Sequence, residues 1–396
     1  MKVLFSAFFC TLFLSLSAQP KDSVKVGIKN MGDEVNSPYP DYAPLISADR
    51  NVMIFTSRRP LEEKDKMKGR SGLENVYVTY YDDKNKKWLV TIMLGPIINL
   101  PDKNNSAIAL SNDGQRMLLY RGGNLQSENG DILESYLNGD EWSDPVRLPS
   151  PINSDDNESS ASISPDGKTI YFVSDRKGGH GGRDIWYCTQ GEDGVWGDAV
   201  NIGSAINSEE DEEGVFIHPN GNALFFSSKG HNSIGGYDIF VSMYDETSKS
   251  WSKAESLGSP INTPGDDIYF VLDASGKTGY YASTRPGGSG DLDIYSATFS
   301  DKFLPKNITL LKGHIENKKG IPVGASIVVK NKTTDKVVGS FKSNKSTGKY
   351  LVSLPTGQKY ELEVSSDGFI TSTESLDIPY KTGYGEVIKD IVLEEK

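Results

Sequence analysis

The sequence predicts an all-β protein in which a five-bladed β-propeller, closed by an N-terminal strand, precedes a small C-terminal β-sandwich. Three observations lead to this prediction: a segment of about 54 residues recurs, each copy holds four short apolar runs, and the pattern changes near Asn307. The 396 residues include 40 glycines and 19 prolines, which is typical of many short strands joined by tight turns. Four antiparallel strands in a repeat of this length are typical of a propeller blade.

The first 18 residues predict a secretory signal peptide. Lys2 precedes an apolar run that ends at Ala18, and this run is shorter than the roughly 20 residues that cross a bilayer. We therefore expect cleavage after Ala18, with Ser17 as the alternative, an exported protein and no transmembrane segment. Removal of Cys10 would leave Cys188 without a partner, so no internal disulfide is expected. Because Cys188 ends the apolar run IWYC, it is predicted to be a buried structural residue.

Four tryptophans and five asparagines set the register of the repeat. Each tryptophan lies 11 residues before an asparagine, and the pairs are Trp88 and Asn99, Trp142 and Asn153, Trp196 and Asn207, and Trp251 and Asn262. A fifth asparagine motif, MGDEVN, ends at Asn36. Blades splay apart away from the axis, so bulky outer residues fill the space between them. The four tryptophans are predicted to be structural, with sugar stacking as the alternative.

The clearest repeat predicts four strands, at residues 160–164, 169–174, 184–189 and 195–202. Asp166-Gly167 joins the first two strands, because glycine supplies the positive φ of a tight hairpin. The last repeat lacks its own outer strand, whereas residues 24–31 read as an outer strand with none before it. We expect residues 24–31 to pair with residues 293–299, which would remove an open sheet edge.

The run SPDGKTIYFVSDR, followed by GG and DIW, resembles the WD40-like Pro-Asp repeats of TolB-type β-propellers over about residues 30–300. Farther on, GHIENKKGIPVGASIVV and TGKYLVSLPTGQKYELEVSSDGF resemble the carboxypeptidase regulatory-like, or transthyretin-like, domain. We therefore expect a propeller over residues 19–302 and a β-sandwich over residues 307–396. Residues 301–396 hold 15 Lys and Arg against 12 Asp and Glu. Since the whole chain has a net charge of −12, the two domains are expected to attract each other.

This domain order is similar to that of OmpA-family envelope proteins, including the PorE type linked to type IX secretion. The resemblance implies a periplasmic or outer-membrane-associated location, with peripheral outer-membrane association; an extracellular location stays open. Those relatives continue into a peptidoglycan-binding OmpA-like domain, which is not expected in this chain.

Charged residues recur at two positions of the repeat that propeller topology places at one mouth of the channel. They either pair with one another or contact a ligand, and they are the candidate binding residues. The acidic set is Asp41, Glu158, Glu212 and Asp267, with Asn105 in the second repeat. The basic set is Arg58, Arg121, Arg176, Lys229 and Arg285.

No metal, cofactor or catalytic residue is predicted. The acidic runs at residues 155–158 and 209–213 favour calcium by their oxygen ligands but lack the EF-hand spacing. His180 and His231 have no third ligand at a spacing suited to zinc. The nucleophile elbow, the zinc-protease helix and the Walker loop are missing from the sequence.

The predicted function is that of an exported, non-enzymatic scaffold for protein–protein interaction in the cell envelope. Its partner would be a protein or another envelope component. The negative net charge argues against a general nucleic-acid binder. The alternative is an envelope glycan-binding or glycan-cleaving propeller, because such enzymes use two channel carboxylates.

Overall fold

The structure is a computed structural model that describes residues 25–62, 71–122, 130–300 and 307–396. Every regular element in these ranges is a β-strand, so the chain is all-β as predicted. The predicted signal peptide, its cleavage site and Cys10 lie outside the described residues. The described part of the chain contains no helix that could span a membrane.

The first described strand, β1 (Val26–Asn30), joins a sheet formed much later in the chain. Between it and residue 300 lie five antiparallel sheets of consecutive strands, and β1 is added to the last of them. Sheet I contains β2 (Asp41–Ile46), β3 (Val52–Ser57), β4 (Asn75–Asp82), β5 (Lys87–Trp88) and β6 (Ile92–Met93). Sheet II contains β7 (Asn104–Leu110), β8 (Arg116–Gly122), β9 (Gly130–Asn138), β10 (Glu141–Trp142) and β11 (Val146–Arg147). Sheet III contains β12 (Glu158–Ile163), β13 (Thr169–Ser174), β14 (Asp184–Thr189) and β15 (Val200–Asn201). Sheet IV contains β16 (Glu212–Ile217), β17 (Ala223–Ser228), β18 (Asp238–Asp245), β19 (Ser250–Trp251) and β20 (Glu255–Ser256). Sheet V contains β21 (Asp267–Leu272), β22 (Thr278–Ser283), β23 (Asp293–Phe299) and the early strand β1.

The five sheets form a closed ring. The first strand of each sheet contacts the first strand of the next, in the order β2, β7, β12, β16, β21 and back to β2. Apolar clusters lie between adjacent sheets, so that each interface is a small core. The backbone N–H of Asp41 donates to the carbonyl of Leu292 at 2.8 Å, which joins sheet I to sheet V.

Strand β1 closes sheet V, as the sequence predicted. It pairs antiparallel with β23 from Val26 opposite Phe299 to Asn30 opposite Tyr295. Ile28 packs against the core between sheets IV and V. The prediction of an N-terminal closing strand is confirmed over residues 26–30; Val24 lies outside the described residues.

The hairpin turns match the sequence, whereas the outermost strands are shorter than expected. Gly114, Gly167, Gly221 and Gly276 have φ between 69° and 76°, and Arg50 takes the same conformation in sheet I at 59°. In sheet III the predicted strand at residues 195–202 is reduced to Val200–Asn201 and an isolated bridge at Trp196. An outer strand has a ladder on one side only, so it tolerates such a break.

Residues 307–396 form two four-stranded sheets around one core. One sheet contains β24 (Ile308–Asn317), β27 (Lys349–Pro355), β30 (Tyr384–Ile388) and β31 (Ile391–Leu393). The other contains β25 (Ser326–Asn331), β26 (Lys336–Lys342), β28 (Gln358–Ser365) and β29 (Ser372–Ile378). Tyr350 and Val352 from the first sheet meet Ile327, Tyr360 and Leu362 from the second.

The C-terminal sheets pack against the turns between the first and second strands of the ring. Leu310 and Leu351 form an apolar cluster with Ala48 and Ala274 of the ring. The Lys349 ammonium lies 2.5 Å from the carboxylate of Asp49, and Asp49 is 3% exposed. These contacts agree with the expected attraction between a basic C-terminal part and an acidic ring.

Candidate functional site at the axial end of the ring

Each recurrent asparagine clamps the third strand of a sheet. Its side-chain oxygen accepts the N–H of one strand residue, and its side-chain nitrogen donates to the C=O of that residue, at 2.7–3.0 Å. The pairs are Asn36 with Ile294, Asn99 with Val76, Asn153 with Ile132, Asn207 with Ile185, and Asn262 with Ile239. All five asparagines are buried. The register seen in the sequence therefore satisfies backbone groups that have no access to water.

The acidic residues predicted to line the channel mouth lie inside the ring. All four carboxylates have an exposed fraction of 0%, and Asn105 has 1%. Each carboxylate accepts bonds from the N–H and the hydroxyl of the Ser or Thr four residues earlier. The structure places this set beneath the mouth, where it holds the inter-sheet loops, and ligand binding by it stays a prediction.

Two of the predicted basic residues complete this buried network. Arg176 contacts Glu158 at 2.9 Å, and Arg285 contacts Asp267 at 3.1 Å. Both guanidinium groups also donate to the carbonyl just before the clamping asparagine. Arg121 does the same beside Asn105. These cations therefore link loops within the ring.

The other two basic positions differ from the prediction. Arg176 and Arg285 lie two residues after the serine that ends the second strand, and in sheet I this offset gives Arg59. Arg59 contacts Asp41 at 3.0 Å, whereas Arg58 does not pair with it among the described residues. In sheet IV the offset gives Gly230, which has no side chain.

His231 takes the place of the missing arginine in sheet IV. Its Nε2 lies 2.7 Å from the carbonyl of Ile206 and 4.0 Å from the carboxylate of Glu212. Lys229 pairs instead with Asp211 at 2.9 Å. His231 thus contacts the loop that leaves sheet III as well as the buried acid of sheet IV. The described residues contain no group of three or more His, Cys, Asp or Glu that could hold a metal ion.

Cys188 is buried and free, which confirms its predicted place in the core. Burial raises the pKa of its thiol to about 11, so the thiol is protonated at neutral pH and is a poor nucleophile.

The four tryptophans lie in the wedges between sheets. Trp88 of sheet I contacts Tyr280 of sheet V edge-on at 6.2 Å, and Trp251 of sheet IV contacts Tyr171 of sheet III in the same way. Trp142 and Trp196 pack against the cores that their sheets share with the preceding sheet. Their side chains are half-buried, which fits a packing role at the rim of each wedge.

Two positions of the repeat vary strongly between sheets, and both lie next to the buried network. One directly follows the buried acid or Asn105 in the first strand, and its occupants are Tyr42, Ser106, Ser159, Glu213 and Ile268. The other directly precedes the start of the third-strand motif, and its occupants are Glu74, Gly130, Arg183, Tyr237 and Leu292. The ring geometry brings both sets to the same end of the axis.

Several of these side chains form one group with Tyr269, which lies two residues after the buried Asp267, and we call this group the axial cluster. Its members are Tyr42, Glu74, Ser159, Arg183, Glu213, Tyr237 and Tyr269. The Tyr42 hydroxyl donates to Glu74 Oε1 at 2.7 Å, and the Tyr42 ring stacks on Tyr269 with 5.8 Å between centroids. Arg183 and the Ser159 hydroxyl both reach Glu213 Oε2, at 3.2 and 2.7 Å.

The backbone at Tyr269 is strained. Its φ is 61°, at a bulge in β21 where Ala43 and Gly214 occupy the same place in two other sheets. A Cβ at Gly214 would lie 3.0 Å from the Tyr269 Cα, so glycine is required for this approach. A bulky residue with positive φ is uncommon, and such strain concentrates at functional sites.

Electrostatic interactions connect the Glu74 side of the axial cluster with the Glu213 side. Burial, followed by Glu213 and Glu74, raises the pKa of Tyr269 well above its ordinary value. Burial also raises the pKa of Glu74, although the Tyr42 hydroxyl and Arg58 oppose this shift. Both carboxylates therefore raise the pKa of Tyr269. Arg183, with 40% of its side chain exposed, forms an ion pair with Glu213.

The channel beneath the axial cluster is narrow. A cavity of about 50 Å³ runs between the first strands and is lined by Ala43, Gly214 and Tyr269 near the cluster. This volume is far below the roughly 300 Å³ at which small-molecule sites begin. A ligand would therefore lie at the mouth, on the axial cluster, and not inside the channel.

Neither a family model nor a curated protein matches the chain. Among solved structures, the chain is similar to TolB from Acinetobacter baumannii, at 17% identity and a TM-score of 0.38, over 68% of this chain and 56% of that one. It thus spans a little over half the length of that protein. It is also similar to a putative TolB from Agrobacterium tumefaciens, at 14% identity and a TM-score of 0.39, over 84% and 100% of the two chains. A thermostable family-43 glycoside hydrolase matches at 13% identity and a TM-score of 0.41, over 67% and 91%.

Proposed function

We propose that the protein is an exported, non-enzymatic scaffold that binds a protein partner of the cell envelope at the axial end of a five-bladed propeller. The C-terminal sheets would then be a transthyretin-like sandwich docked on the opposite end. One observation supports this most directly: the repeated acids are fully buried in the ring, whereas several residues at the varying positions, among them Tyr42, Arg183 and Tyr237, are only partly buried and lie at one end of it.

The composition of the axial cluster suits a protein surface. It offers three tyrosines, an arginine and two carboxylates, and Lys229 lies 4.7 Å from the ring centre of Tyr237. Tyrosine and arginine are enriched among residues that dominate protein interfaces. Because the charges are mixed, the cluster fits a partner with complementary polar groups better than a uniformly charged polymer.

The position of the C-terminal sheets also favours this surface. Their contacts involve Asp49, Asp113 and Gly139, which lie at the turn end of the ring strands. The axial cluster lies at the other end, so described residues of the C-terminal sheets do not cover it. Export rests on the predicted signal peptide, and a place near the outer membrane or a type IX machine rests on the sequence resemblance.

Site-specific photo-crosslinking in the native envelope tests the proposal. A crosslinker at residue 237 should capture one protein in stoichiometric amount, and Arg183→Glu should abolish the capture. The matched control is Arg147→Glu, because Arg147 pairs with Asp131 at 2.6 Å on the outer edge of sheet II. Equal capture with both variants, or capture of no protein, would contradict the proposal.

Glycan binding or cleavage is the second candidate. It is favoured by the stacked Tyr42 and Tyr269 rings beside two carboxylates, Glu74 and Glu213, since aromatic faces and carboxylates are used by sugar-binding sites and glycosidases. Envelope polysaccharide should then be retained by the purified protein, or should release reducing ends that Glu213→Gln eliminates. Neither result is expected for a protein scaffold.

A further inference from the structure

A second cavity lies between sheets I and II, beside the C-terminal sheets. It has a volume of about 620 Å³, which is within the range of small-molecule sites. Ile54, Val78, Leu94 and Leu137 form its apolar floor, while Asn344, Thr347 and Lys349 border it from the C-terminal part. We call it the wedge cavity.

The floor of the wedge cavity is aliphatic where three other sheets carry an aromatic side chain. The third residue of the second strand is aromatic in sheets III, IV and V, as Tyr171, Phe225 and Tyr280. Trp251 and Trp88 pack edge-on against Tyr171 and Tyr280. In sheet I the same position is Ile54 and in sheet II it is Leu118, so the wedge that Trp142 borders has an aliphatic side chain where the wedge between sheets III and IV has Tyr171.

The border of the wedge cavity is negative. Four aspartates and one lysine line it, and Asp49 is already paired with that lysine, Lys349. Asp113 accepts the backbone N–H of Lys342. Among the described residues, Asp140 has neither a hydrogen bond nor an ion pair, and its charge acts on the nearby exposed Tyr80.

We propose that the wedge cavity binds a small organic ammonium ion that carries an apolar chain. The chain would lie on the floor beside Trp142, where aliphatic groups and an indole exclude water. The cationic group would lie between Asp140 and the rings of Tyr80 and Trp142, because carboxylates and aromatic faces both attract cations. An anionic ligand of the same shape would be repelled by the unpaired carboxylate.

Titration calorimetry of the full chain tests this proposal with hexyltrimethylammonium as the probe and hexanoate as the matched anion. The ammonium should bind saturably at one site per chain, and hexanoate should not bind. Asp140→Asn should weaken the ammonium by about tenfold, whereas Asp144→Asn, an exposed aspartate that does not line the cavity, should have no effect. Ile54→Tyr, which places on the cavity floor the kind of ring that sheets III to V carry, should weaken binding because the ring occupies part of the apolar floor.

Thermal melting of each variant separates loss of the cavity from loss of the fold. Asp140→Asn changes an exposed carboxylate and should melt with the parent protein, so it keeps the test valid even if Ile54→Tyr fails to fold. Equal binding of hexanoate, or unchanged binding in Asp140→Asn, would overturn the proposal. Asp140 lies outside the axial cluster, so the calorimetric result for the wedge cavity is independent of whether the axial cluster captures a protein partner.

Discussion

At the scale of single residues, the ring shows how one substitution changes a repeated ion pair. Glu158 and Glu212 occupy equivalent places with equivalent serine donors, but Arg176 faces the first and His231 the second. Burial raises the pKa of Glu212 to about 7, against bonds from Ser208 and Ser228, and the charge of Asp184 raises it further. Sheet IV therefore carries a carboxyl that is partly protonated near neutral pH.

This difference predicts a pH-dependent stability. The pKa of Glu212 in the folded protein is above its ordinary value of 4.5. The contribution of Glu212 to the free energy of unfolding is therefore fully present below pH 4.5 and is lost as the pH rises towards 7. The loss amounts to at most about 3 kcal/mol. His231→Arg should lower the pKa of Glu212 and flatten the melting temperature between pH 5 and 7 (roughly the interval between the two pKa values).

Arg176→His provides the matched variant in sheet III. It should introduce the same fall in melting temperature with rising pH that His231→Arg removes. If the melting temperatures of both variants change with pH as that of the parent protein does, the arginine-to-histidine change does not control the pKa of this carboxyl.

At the scale of elements, each sheet is held by a loop that returns to its third strand. The clamping asparagine supplies both an acceptor and a donor to one strand residue, as Asn153 does for Ile132. Asn36 does this for sheet V from the other end of the sequence. The segment after β1 is thus joined to the last sheet by the same pair of hydrogen bonds that joins each of the other loops to its sheet.

Asn153→Ala should destabilise the protein by about 2–4 kcal/mol, because it leaves the N–H and C=O of Ile132 buried without partners. Urea unfolding followed by tryptophan fluorescence measures this change. The control is Asn138→Ala, since Asn138 is exposed at the end of β9. A loss below 1 kcal/mol (roughly the net value of one ordinary hydrogen bond) for Asn153→Ala would show that the loop finds another way to satisfy the strand.

At the scale of the whole molecule, closure of the ring depends on residues that are distant in sequence. Strand β1 covers the edge of β23, and an uncovered strand edge pairs with other chains. Deletion through Asn30 should lower the melting temperature and cause concentration-dependent aggregation. Deletion through Lys25, which keeps β1, should do neither, and light scattering with calorimetry distinguishes the two.

The junction between the ring and the C-terminal sheets is the second feature at this scale. Burial alone would raise the pKa of Asp49, but Lys349 and the hydrogen bonds it receives lower that pKa below its ordinary value. The junction is therefore stabilised above the unfolded pKa of Asp49 and weakens as the pH falls towards the folded one.

Lys349→Glu should separate the two parts. Small-angle scattering should give a larger radius of gyration for this variant, and thermal unfolding should show two transitions. Lys359→Glu is the control, because Lys359 pairs with Asp377 where both side chains are more than half exposed. An unchanged radius for Lys349→Glu would mean that the apolar contacts alone hold the junction.

The sequence by itself determined the repeat, the turns and the closing strand, because these depend on spacing and on glycine, asparagine and tryptophan at fixed places. It also pointed to the buried acids, although the offset from the preceding serine was needed to choose Arg59 over Arg58. Only the tertiary structure decided which variable residues meet. Tyr42, Glu74, Arg183 and Glu213 lie far apart in sequence, and ring closure sets their distances. In the sequence, these four residues are marked only by variation at aligned positions of the repeat. That variation identifies a site only when the ring places those positions side by side around its axis.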